Sequence, residues 1–296
     1  MEIRVARDED AEAVAAILRE VDDARVLSAA GWLHNRRTTS PRDRMLRLVA
    51  ADDEVVAVGQ GALNTWTSTA GAGWCSVAVT GTRRCEGIGS ALLEALLRHL
   101  REAGATKATS FMRFSEEGER WASARGWSRV LTGPLIAVDP RGVPASPAPP
   151  GIRCGPMAEA PPEAVYDALL DAARDEPRPD PFDSMPYDDF LNDWAEPDLD
   201  LESSAVAWDG GRIVALSEVR VGGDRAQHGF TGTRRDYRGR GLATAVKCTA
   251  LRAAAARGVK RVTTSNAEEN APMRAINRKL GFEPIGEHVI VGRDLT

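Results

Sequence analysis

Arg238-Gly239-Arg240-Gly241-Leu242-Ala243 follows a short segment of β character and opens an apolar repeat of helical period. Glycine lets backbone amides approach a phosphate without a Cβ in the way, and the first turn of a helix adds a partial positive charge. We therefore predict an anion-binding loop between a strand and a helix. An ordinary strand-to-helix turn has the same composition, so the loop needs support from the rest of the chain.

A second copy of the loop supplies that support. Arg84-Cys85-Glu86-Gly87-Ile88-Gly89 also lies between an apolar strand and a helical pattern, and Gly87 precedes Gly241 by 154 residues. Two further pairs keep nearly the same spacing: Gly126-Trp127 and Gly281-Phe282 at 155, and Ile3-Arg4 and Ile152-Arg153 at 149. A period near half the chain length is too long for a solenoid repeat and indicates a duplicated domain.

Both copies resemble the GNAT superfamily of acyl-CoA-dependent N-acyltransferases, whose signature is Arg-x-x-Gly-x-Gly/Ala between a strand and a helix. The run Asn266-x-x-x-Asn270-x-x-Met273-x-x-Ile276-Asn277-x-x-Leu280-Gly281-Phe282 is similar to the closing part of many bacterial members. The likeness covers both halves and is more specific in the second. It implies an α/β protein with two tandem GNAT-like domains, each a mixed twisted β-sheet flanked by α-helices.

A proline-rich stretch separates the two copies. Residues 140–150 contain five prolines and cannot sustain a helix or a central strand. We therefore predict an N-terminal GNAT-like domain over 1–139, a linker over 140–150 and a C-terminal GNAT domain over 151–296. Each predicted domain is long enough to bury a core of its own.

Charge and composition narrow the function classes. The net charge of −5 argues against a nucleic-acid partner, and no uncharged apolar run reaches the ~20 residues of a membrane span. Neither the four cysteines nor the four histidines have metal-ligand spacing, so we expect no metal and no disulfide framework. We predict a cytoplasmic protein, monomeric or homodimeric, that acts on a small molecule.

The second half is predicted to contain three strands, a helix, a fourth strand and a second helix. The strands are expected at 204–208, 213–221, 228–233 and 259–264, and the helix at 242–257. In the resembling family, free backbone groups of the splayed strand before the loop hold the pantetheine arm of acetyl-CoA, and loop amides hold its pyrophosphate.

The resemblance thus implies acetyl-CoA as co-substrate and assigns binding residues by position. In the second half they are Thr231, Thr233, Arg234, Arg235, Arg238, Gly239, Arg240, Gly241, Ala243 and Asn270, and in the first half Val79, Arg84, Gly87 and Gly89. The arginines of the second half add positive charge suited to a polyanion. Alternatively, they form a solvated basic turn.

Glu218 is the candidate general base. Amide formation needs an uncharged amine, and an alkyl ammonium with a pKa of about 10 must lose a proton. Glu218 lies in the strand next to the predicted splay, whereas its register partner in the first half is Gln60, which cannot take that proton. Alternatively, Glu218 is a solvent-facing carboxylate on an exposed strand face.

The family's general acid, a tyrosine four residues before the terminal glycine, is absent. Asn277 and Ala122 occupy that position in the two halves. A thiolate with a pKa of about 8.5 is a tolerable leaving group that water can protonate. Asn266, Asn270 and Asn277 either bind amides of the cofactor or acceptor, or cap the local helix.

The first half is the weaker candidate for catalysis. Val77 and Val79 replace the two threonines, and Glu86 replaces Arg240 next to the expected pyrophosphate. We therefore favour the second half, although the Gly87-x-Gly89 ending of the first loop is closer to the commonest family form and keeps that half as the alternative.

An acidic, aromatic segment points to the acceptor. Residues 174–202 contain eleven carboxylates and four aromatic side chains, a composition that favours a cationic amine. Alternatively, this is an acidic surface helix with its aromatic residues in the core. Two functions follow: an N-acetyltransferase that acts on the primary amine of a small cationic molecule, or an acyl-CoA sensor without turnover.

Overall fold

The computed structural model describes all residues from Met1 to Thr296. Twelve β-strands and eight α-helices form two compact units. Unit 1 comprises Met1–Gly133, Arg178–Asp183 and Gly286–Thr296, and unit 2 comprises Pro134–Pro177 and Ser184–Ile285. None of the eight helices is both long and apolar enough to span a bilayer.

Unit 1 is a six-stranded mixed sheet with helices on both faces. Its strands run in the order β1-β2-β3-β4-β5-β12. They are β1 Glu2–Val5, β2 Leu46–Ala51, β3 Val55–Leu63, β4 Ala72–Val79, β5 Lys107–Arg113 and β12 Glu283–Asp294, and the helices are α1 Ala11–Val21, α2 Ala29–Thr38, α3 Ile88–Glu102 and α4 Glu116–Ser123.

Leucines at helical spacing place α3 on that sheet. Leu92, Leu96 and Leu100 are fully buried, and they pack in one apolar cluster with residues of β2, β3 and β4. A second cluster, built around Val14, Ile17 and Leu18 of α1, covers the opposite face. Two buried faces explain why β3 is apolar along most of its length.

Unit 2 repeats this arrangement. Its strands run in the order β6-β11-β10-β9-β8-β7. They are β6 Ser128–Val138, β7 Ile152–Pro156, β8 Ala205–Asp209, β9 Arg212–Gly222, β10 Arg225–Thr233 and β11 Arg261–Ser265, and the helices are α5 Pro162–Ala173, α6 Tyr187–Trp194, α7 Leu242–Ala256 and α8 Ala271–Lys279. Six 3-10 turns complete the chain: Asp8–Asp10, Pro41–Asp43, Gly81–Arg83, Pro140–Gly142, Met157–Glu159 and Arg235–Tyr237.

Small residues bring the helices of unit 2 close to its sheet. Alanines of α7, among them Ala250 and Ala254, are fully buried over β9. On the other face, a Cβ at Gly232 of β10 would lie only 2.6 Å from the Cβ of Ala172 in α5. The strands and the helix predicted for this half are confirmed to within two residues at almost every end.

The last strand of each sheet comes from the other half of the sequence. In unit 1, β12 pairs antiparallel with β5 over His288–Asp294, and in unit 2, residues 135–138 of β6 pair antiparallel with β11. The predicted fold of two tandem α/β domains is confirmed, and this exchange of strands is additional to it. The boundaries predicted at 139 and 151 remain a prediction.

Candidate active site

Each sheet opens at the same place. Parallel pairing of β4 with β5 covers only Ala72–Trp74, and that of β10 with β11 covers only Arg225–Gln227. Beyond these three pairs the strands separate, so the later part of β4 and β10 has free backbone groups on one edge. Both units therefore contain a splayed pair of strands that leads to a glycine-containing loop.

The two loops have the same backbone. Gly87 and Gly241 have φ of 83° and 80° and immediately precede α3 and α7. Cys85 and Gly239 also have positive φ, at 65° and 76°. No atom lies within 4 Å of a Cβ added at Gly87, Gly239 or Gly241, so backbone conformation and an open approach, not packing, explain these glycines.

Neither helix start is capped by a side chain. The first amides of α3 and α7 are therefore available to an acceptor from outside the helix. Arg84 and Arg238 each donate from Nε to the carbonyl at the end of the preceding strand, Val79 at 3.4 Å and Thr233 at 3.3 Å. The loop, its arginine and the strand thus form one repeated element.

The remaining arginines of unit 2 have different surroundings. Arg234 is buried, and its guanidinium donates to the Ile213 carbonyl at 2.7 Å and to Asp167 at 2.5 Å. Arg235 and Arg238 share the carboxylate of Asp175. Arg234 consequently supports the end of the strand, while Arg235 and Arg238 are half-exposed beside the loop.

Arg240 also lies at the loop surface. It donates to the Asp236 carbonyl at 3.0 Å, and its guanidinium carbon is 4.6 Å from the ring centroid of Tyr237. In unit 1 the equivalent Glu86 pairs with Arg83 at 3.0 Å, so part of its negative charge is neutralised. The two loops therefore differ in side-chain charge although their backbones match.

A β-bulge lies opposite Glu218. Register between β9 and β10 shifts between His228 and Thr231, so that Gly229 and Phe230 face the single residue Glu218. In unit 1 the equivalent Gln60 pairs with Ser76, and the β3–β4 ladder continues without a shift. Position 218 thus lies at a local distortion that unit 1 does not have.

Glu218 is half-buried. Burial raises the pKa of its carboxyl group above the ordinary value, against the lowering effects of the Arg220 charge and of a hydrogen bond from the Phe230 backbone, while the negative charge of Asp193 in α6 adds to the rise. The carboxylate lies against Gly229, where an added Cβ would be 3.5 Å from its Oε2. A carboxylate with a raised pKa is a stronger proton acceptor than an ordinary glutamate.

Arg220 connects Glu218 to a second carboxylate. Its Nε donates to Glu196 at 2.9 Å, and the Glu196 side chain is only 5% exposed. Burial raises the pKa of Glu196, and the Arg220 charge opposes that rise. The Arg220 guanidinium therefore opposes the rise in pKa that burial causes at both Glu218 and Glu196.

On the face of the sheet toward α7, unit 2 holds a buried polar group that the sequence analysis missed. Nε2 of His228 lies 2.8 Å from Ser217 Oγ and 3.3 Å from Thr231 Oγ1, and the two hydroxyl oxygens are 3.2 Å apart. Burial and the charge of Lys247 hold the pKa of His228 well below its ordinary value, so the ring is neutral. Thr231, predicted from its position to bind the cofactor, lies in this group, whereas no local motif marks Ser217 or His228, which the strand ladder brings to it.

Lys247 was also missed. Its side chain is fully buried in α7, its Nζ has no hydrogen-bond partner, and it lies 5.1 Å from the ring centroid of Phe282. Desolvation lowers its pKa to about 7. The available signal was a lysine six residues after the loop glycine Gly241, on the helix face that the periodicity predicts to be buried.

Unit 2 has two further buried polar atoms that lack a partner. They are Thr233 Oγ1 on β10 and Asn277 Oδ1 on α8. Asn277 donates through Nδ2 to Asn266 at 2.6 Å, whereas Asn270 caps α8 by accepting from the Met273 amide at 3.3 Å. The cap proposed as an alternative is thus present at Asn270, and Thr233 and Asn277 retain unused acceptor capacity.

Helices α5 and α6 form an aromatic cluster that borders the Glu218 face. Tyr166, Tyr187, Phe190 and Trp194 lie with successive ring centroids 5.0 to 6.0 Å apart. Phe190 is buried and the other three are partly exposed. Both predicted roles, core packing and an aromatic rim, are therefore combined in one cluster.

Part of the acidic segment belongs to unit 1 instead. Asp180 forms an ion pair with Lys107 at 2.5 Å, and Asp183 accepts from the Ser68 amide at 2.5 Å. These two carboxylates stabilise unit 1. Among the acidic residues of the segment, Glu176 and Asp193 are the ones whose charges act on Glu218.

These features fit acetyl-CoA in unit 2. Uncapped helix amides and half-exposed arginines suit the pyrophosphate, and the free edge of β10 with the unpartnered Thr233 and Asn277 oxygens suits the amide-bearing pantetheine arm. In unit 1 the loop and the splay are present, but Val79 and Ala122 stand where Thr233 and Asn277 stand in unit 2.

The sequence profile of the acetyltransferase (GNAT) family matches two regions of the chain, residues 11–115 and 164–282. No protein of curated function matches the chain by sequence. Several solved structures share the fold across both halves.

One is a tandem GNAT protein from the clavulanic acid biosynthesis pathway, with 22% identity, coverage of 100% of this chain and 98% of that one, and a TM-score of 0.74. A GCN5-related N-acetyltransferase from Sphaerobacter thermophilus has 21% identity, coverage of 99% and 95%, and a TM-score of 0.72. A third, from Kribbella flavida, has 19% identity, coverage of 97% and 96%, and a TM-score of 0.52. The chain belongs to the acetyltransferase (GNAT) family and carries the GNAT domain in tandem.

Proposed function

We propose that the chain transfers an acetyl group from acetyl-CoA to the primary amine of a small cationic molecule, with its active site in unit 2. One observation carries the proposal: Glu218 is half-buried opposite a β-bulge, its pKa is raised, and it lies on the strand next to the splay. Unit 1 has Gln60 at this position and no bulge.

Acetyl-CoA, when bound, supplies the acetyl group as a thioester. The amides that follow Gly239 and Gly241 hold the pyrophosphate, assisted by Arg238 and Arg240 at the loop surface. Thr233 and Asn277 offer oxygen atoms that are buried and unpaired without a ligand. Pairing of these atoms with amide groups of the pantetheine arm would remove the cost of leaving them unsatisfied.

Glu218 takes the proton that the amine must lose. An alkyl ammonium has a pKa of about 10, so a nearby carboxylate with a raised pKa is a better match for it than an ordinary glutamate. The new C–N bond forms as the C–S bond breaks, the amine proton passes to Glu218, and the released thiolate is protonated by water.

Acceptor selectivity follows from the surroundings of Glu218. The negative charges of Asp193 and Glu176 act on this position, and the half-exposed rings of Tyr166, Tyr187 and Trp194 lie on the helices that cover the same face. Acidic and aromatic groups together attract a cation. A molecule with a second positive charge beyond its reactive amine fits this site best.

The test is acceptor-dependent release of free thiol from acetyl-CoA, measured across a panel of diamines and neutral primary amines. Glu218→Gln should lower kcat by about a hundredfold or more and leave acetyl-CoA binding unchanged. Glu202→Gln, at an exposed position, is the matched control. Unimpaired turnover in Glu218→Gln would remove Glu218 from the mechanism.

Calorimetric titration with acetyl-CoA locates the site. One site per chain, lost in a unit 2 loop variant, supports catalysis by unit 2. Two sites, or one site lost in a unit 1 loop variant, would favour the alternative in which unit 1 is the catalyst.

A second candidate is an acyl-CoA sensor without turnover. Asn277 at the position of the family's tyrosine favours it, because no side chain there can protonate the leaving thiolate. Saturable acetyl-CoA binding without thiol release for any amine would support the sensor.

A further inference from the structure

Unit 1 contains an open groove of about 740 Å³ that runs along α3 from Ser90 in the first turn of that helix. Leu93 and Leu97 form an apolar floor, and the groove extends to Glu102 at the end of the helix. Its volume lies within the range of about 300–1,000 Å³ that is typical of ligand sites. We refer to it as the α3 groove.

In unit 2 the equivalent surface of α7 is covered by the chain itself. Cys248 Sγ donates to the Pro144 carbonyl at 2.9 Å, and Arg252 donates to the Val143 carbonyl at 3.5 Å. Val143 has an extended backbone and is 3% exposed. A short extended segment after β6 therefore fills this place through its carbonyl groups and one apolar side chain.

Strand register identifies the matching positions in unit 1. Arg293 of β12 pairs with Ala108, and Val138 of β6 pairs with Val262. Arg293 and Val138 therefore occupy equivalent positions in the two sheets. On the helix, Glu94 and Arg98 stand where Cys248 and Arg252 stand. The α3 groove is open at the place that the segment fills in unit 2.

Arginines give the α3 groove a positive rim. Arg98 and Arg293 form no ion pair within the chain. Arg101 donates to the Leu295 carbonyl at 2.9 Å, and Arg125 donates to Ser90 at 2.6 Å. Four guanidinium groups against the carboxylates of Glu94 and Glu102 leave a net positive surface over an apolar floor.

We propose that the α3 groove binds an extended, acidic segment of a partner protein. The extended form follows from unit 2, where the equivalent place accepts a chain segment through its carbonyl groups. The acidic character follows from Arg98 and Arg293, which form no ion pair within the chain and leave the rim with a net positive charge despite Glu94 and Glu102. The inference is independent of which unit catalyses.

The test uses the full chain and a fluorescently labelled decapeptide in which glutamate alternates with alanine. Binding is measured by anisotropy, with the same peptide carrying glutamine in place of glutamate as the ligand control. Arg98→Gln and Arg293→Gln should each weaken binding of the glutamate peptide by about tenfold. Arg120→Gln, on the exposed surface of α4 outside the groove, should have no effect.

Several results would overturn the proposal. They are the absence of saturable binding, equal affinity for the glutamine peptide, and equal affinity for the wild type and both groove variants. Displacement of the peptide by acetyl-CoA, together with weaker acetyl-CoA binding in Arg98→Gln, would instead make the groove part of the cofactor site. Thermal unfolding of each variant separates loss of binding from loss of folding.

Discussion

Units 1 and 2 share a backbone and differ in the polar groups buried in it. Both have a splayed strand pair, two residues of positive φ in the loop and an uncapped helix start. At equivalent positions, unit 2 has Ser217, His228, Thr231, Thr233, Lys247 and Asn277, and unit 1 has Gly59, Cys75, Val77, Val79, Leu93 and Ala122. Buried polar groups cost stability, so their concentration in one unit points to the site that uses them.

A backbone difference next to Glu218 reinforces the contrast. The extra residue of the bulge in β10 lies opposite Glu218, and β4 has no such residue opposite Gln60. Bulges frequently occur beside active sites, where they redirect a side chain. The duplicated fold therefore provides two similar domains, and the bulge opposite Glu218 supports the proposal that acid–base chemistry takes place in unit 2.

The largest expected effect concerns Lys247. Burial lowers the pKa of Lys247 from 10.5 to about 7. Because each unit of pKa corresponds to about 1.4 kcal/mol, desolvation of this side chain costs about 5 kcal/mol of stability at neutral pH. Lys247→Leu, which introduces the unit 1 residue, should raise the free energy of unfolding by about 3–5 kcal/mol in urea at pH 7.

The pH dependence of the stability tests whether the desolvation of Lys247 is the cause. The unfolded state binds the Lys247 proton up to about pH 10.5 and the folded state only up to about pH 7, so wild-type stability should rise with pH between these values. The rise should be smaller in Lys247→Leu. An equal rise in both proteins would contradict the assignment to Lys247.

Next in size is the effect of a charge in the loop. Gly241→Glu places a carboxylate beside the proposed pyrophosphate site and should weaken acetyl-CoA binding by about a hundredfold or more. Gly87→Glu introduces the same strain at a matching φ in unit 1 and should leave binding and turnover intact. Calorimetry on the pair measures both effects. Loss of binding in Gly87→Glu alone would reverse the assignment of the units.

A smaller effect is expected from Thr233→Val, which copies Val79. Removal of a buried, unpartnered hydroxyl should stabilise the free protein by about 1 kcal/mol. If that hydroxyl pairs with the cofactor, acetyl-CoA affinity should fall by about three- to tenfold at the same time. Val79→Thr is the reciprocal variant and should not strengthen binding. Unchanged affinity in Thr233→Val would exclude Thr233 from the cofactor site.

The smallest effect is a shift in the pH profile. Glu218 must be deprotonated to act, so kcat/KM should rise with pH through a pKa that lies above the ordinary glutamate value of 4.5. Asp193→Asn removes a negative charge that raises this pKa. The kcat/KM of this variant should therefore rise at lower pH than that of the wild type. Asp188→Asn, at an exposed position of the same helix, should leave the profile unchanged.

Parts of the site were accessible from the sequence because they are local. A glycine-containing loop before a helix and a hairpin of two apolar strands are visible in a few consecutive residues, and together with the family resemblance they led to both loops and to Glu218. The raised pKa of Glu218 was not accessible, since it depends on Arg220, on Asp193 in a distant helix and on the degree of burial.

The sequence by itself determined the duplication and the position of the loops, because these motifs are complete within short stretches of chain, and the fold of each copy followed from the family resemblance that the motifs carry. Only the tertiary structure decided the exchange of β6 and β12, the meeting of His228 with Ser217 and Thr231, and the burial of Lys247 without a partner. Pairing and burial depend on residues far apart in the chain, which no local pattern specifies.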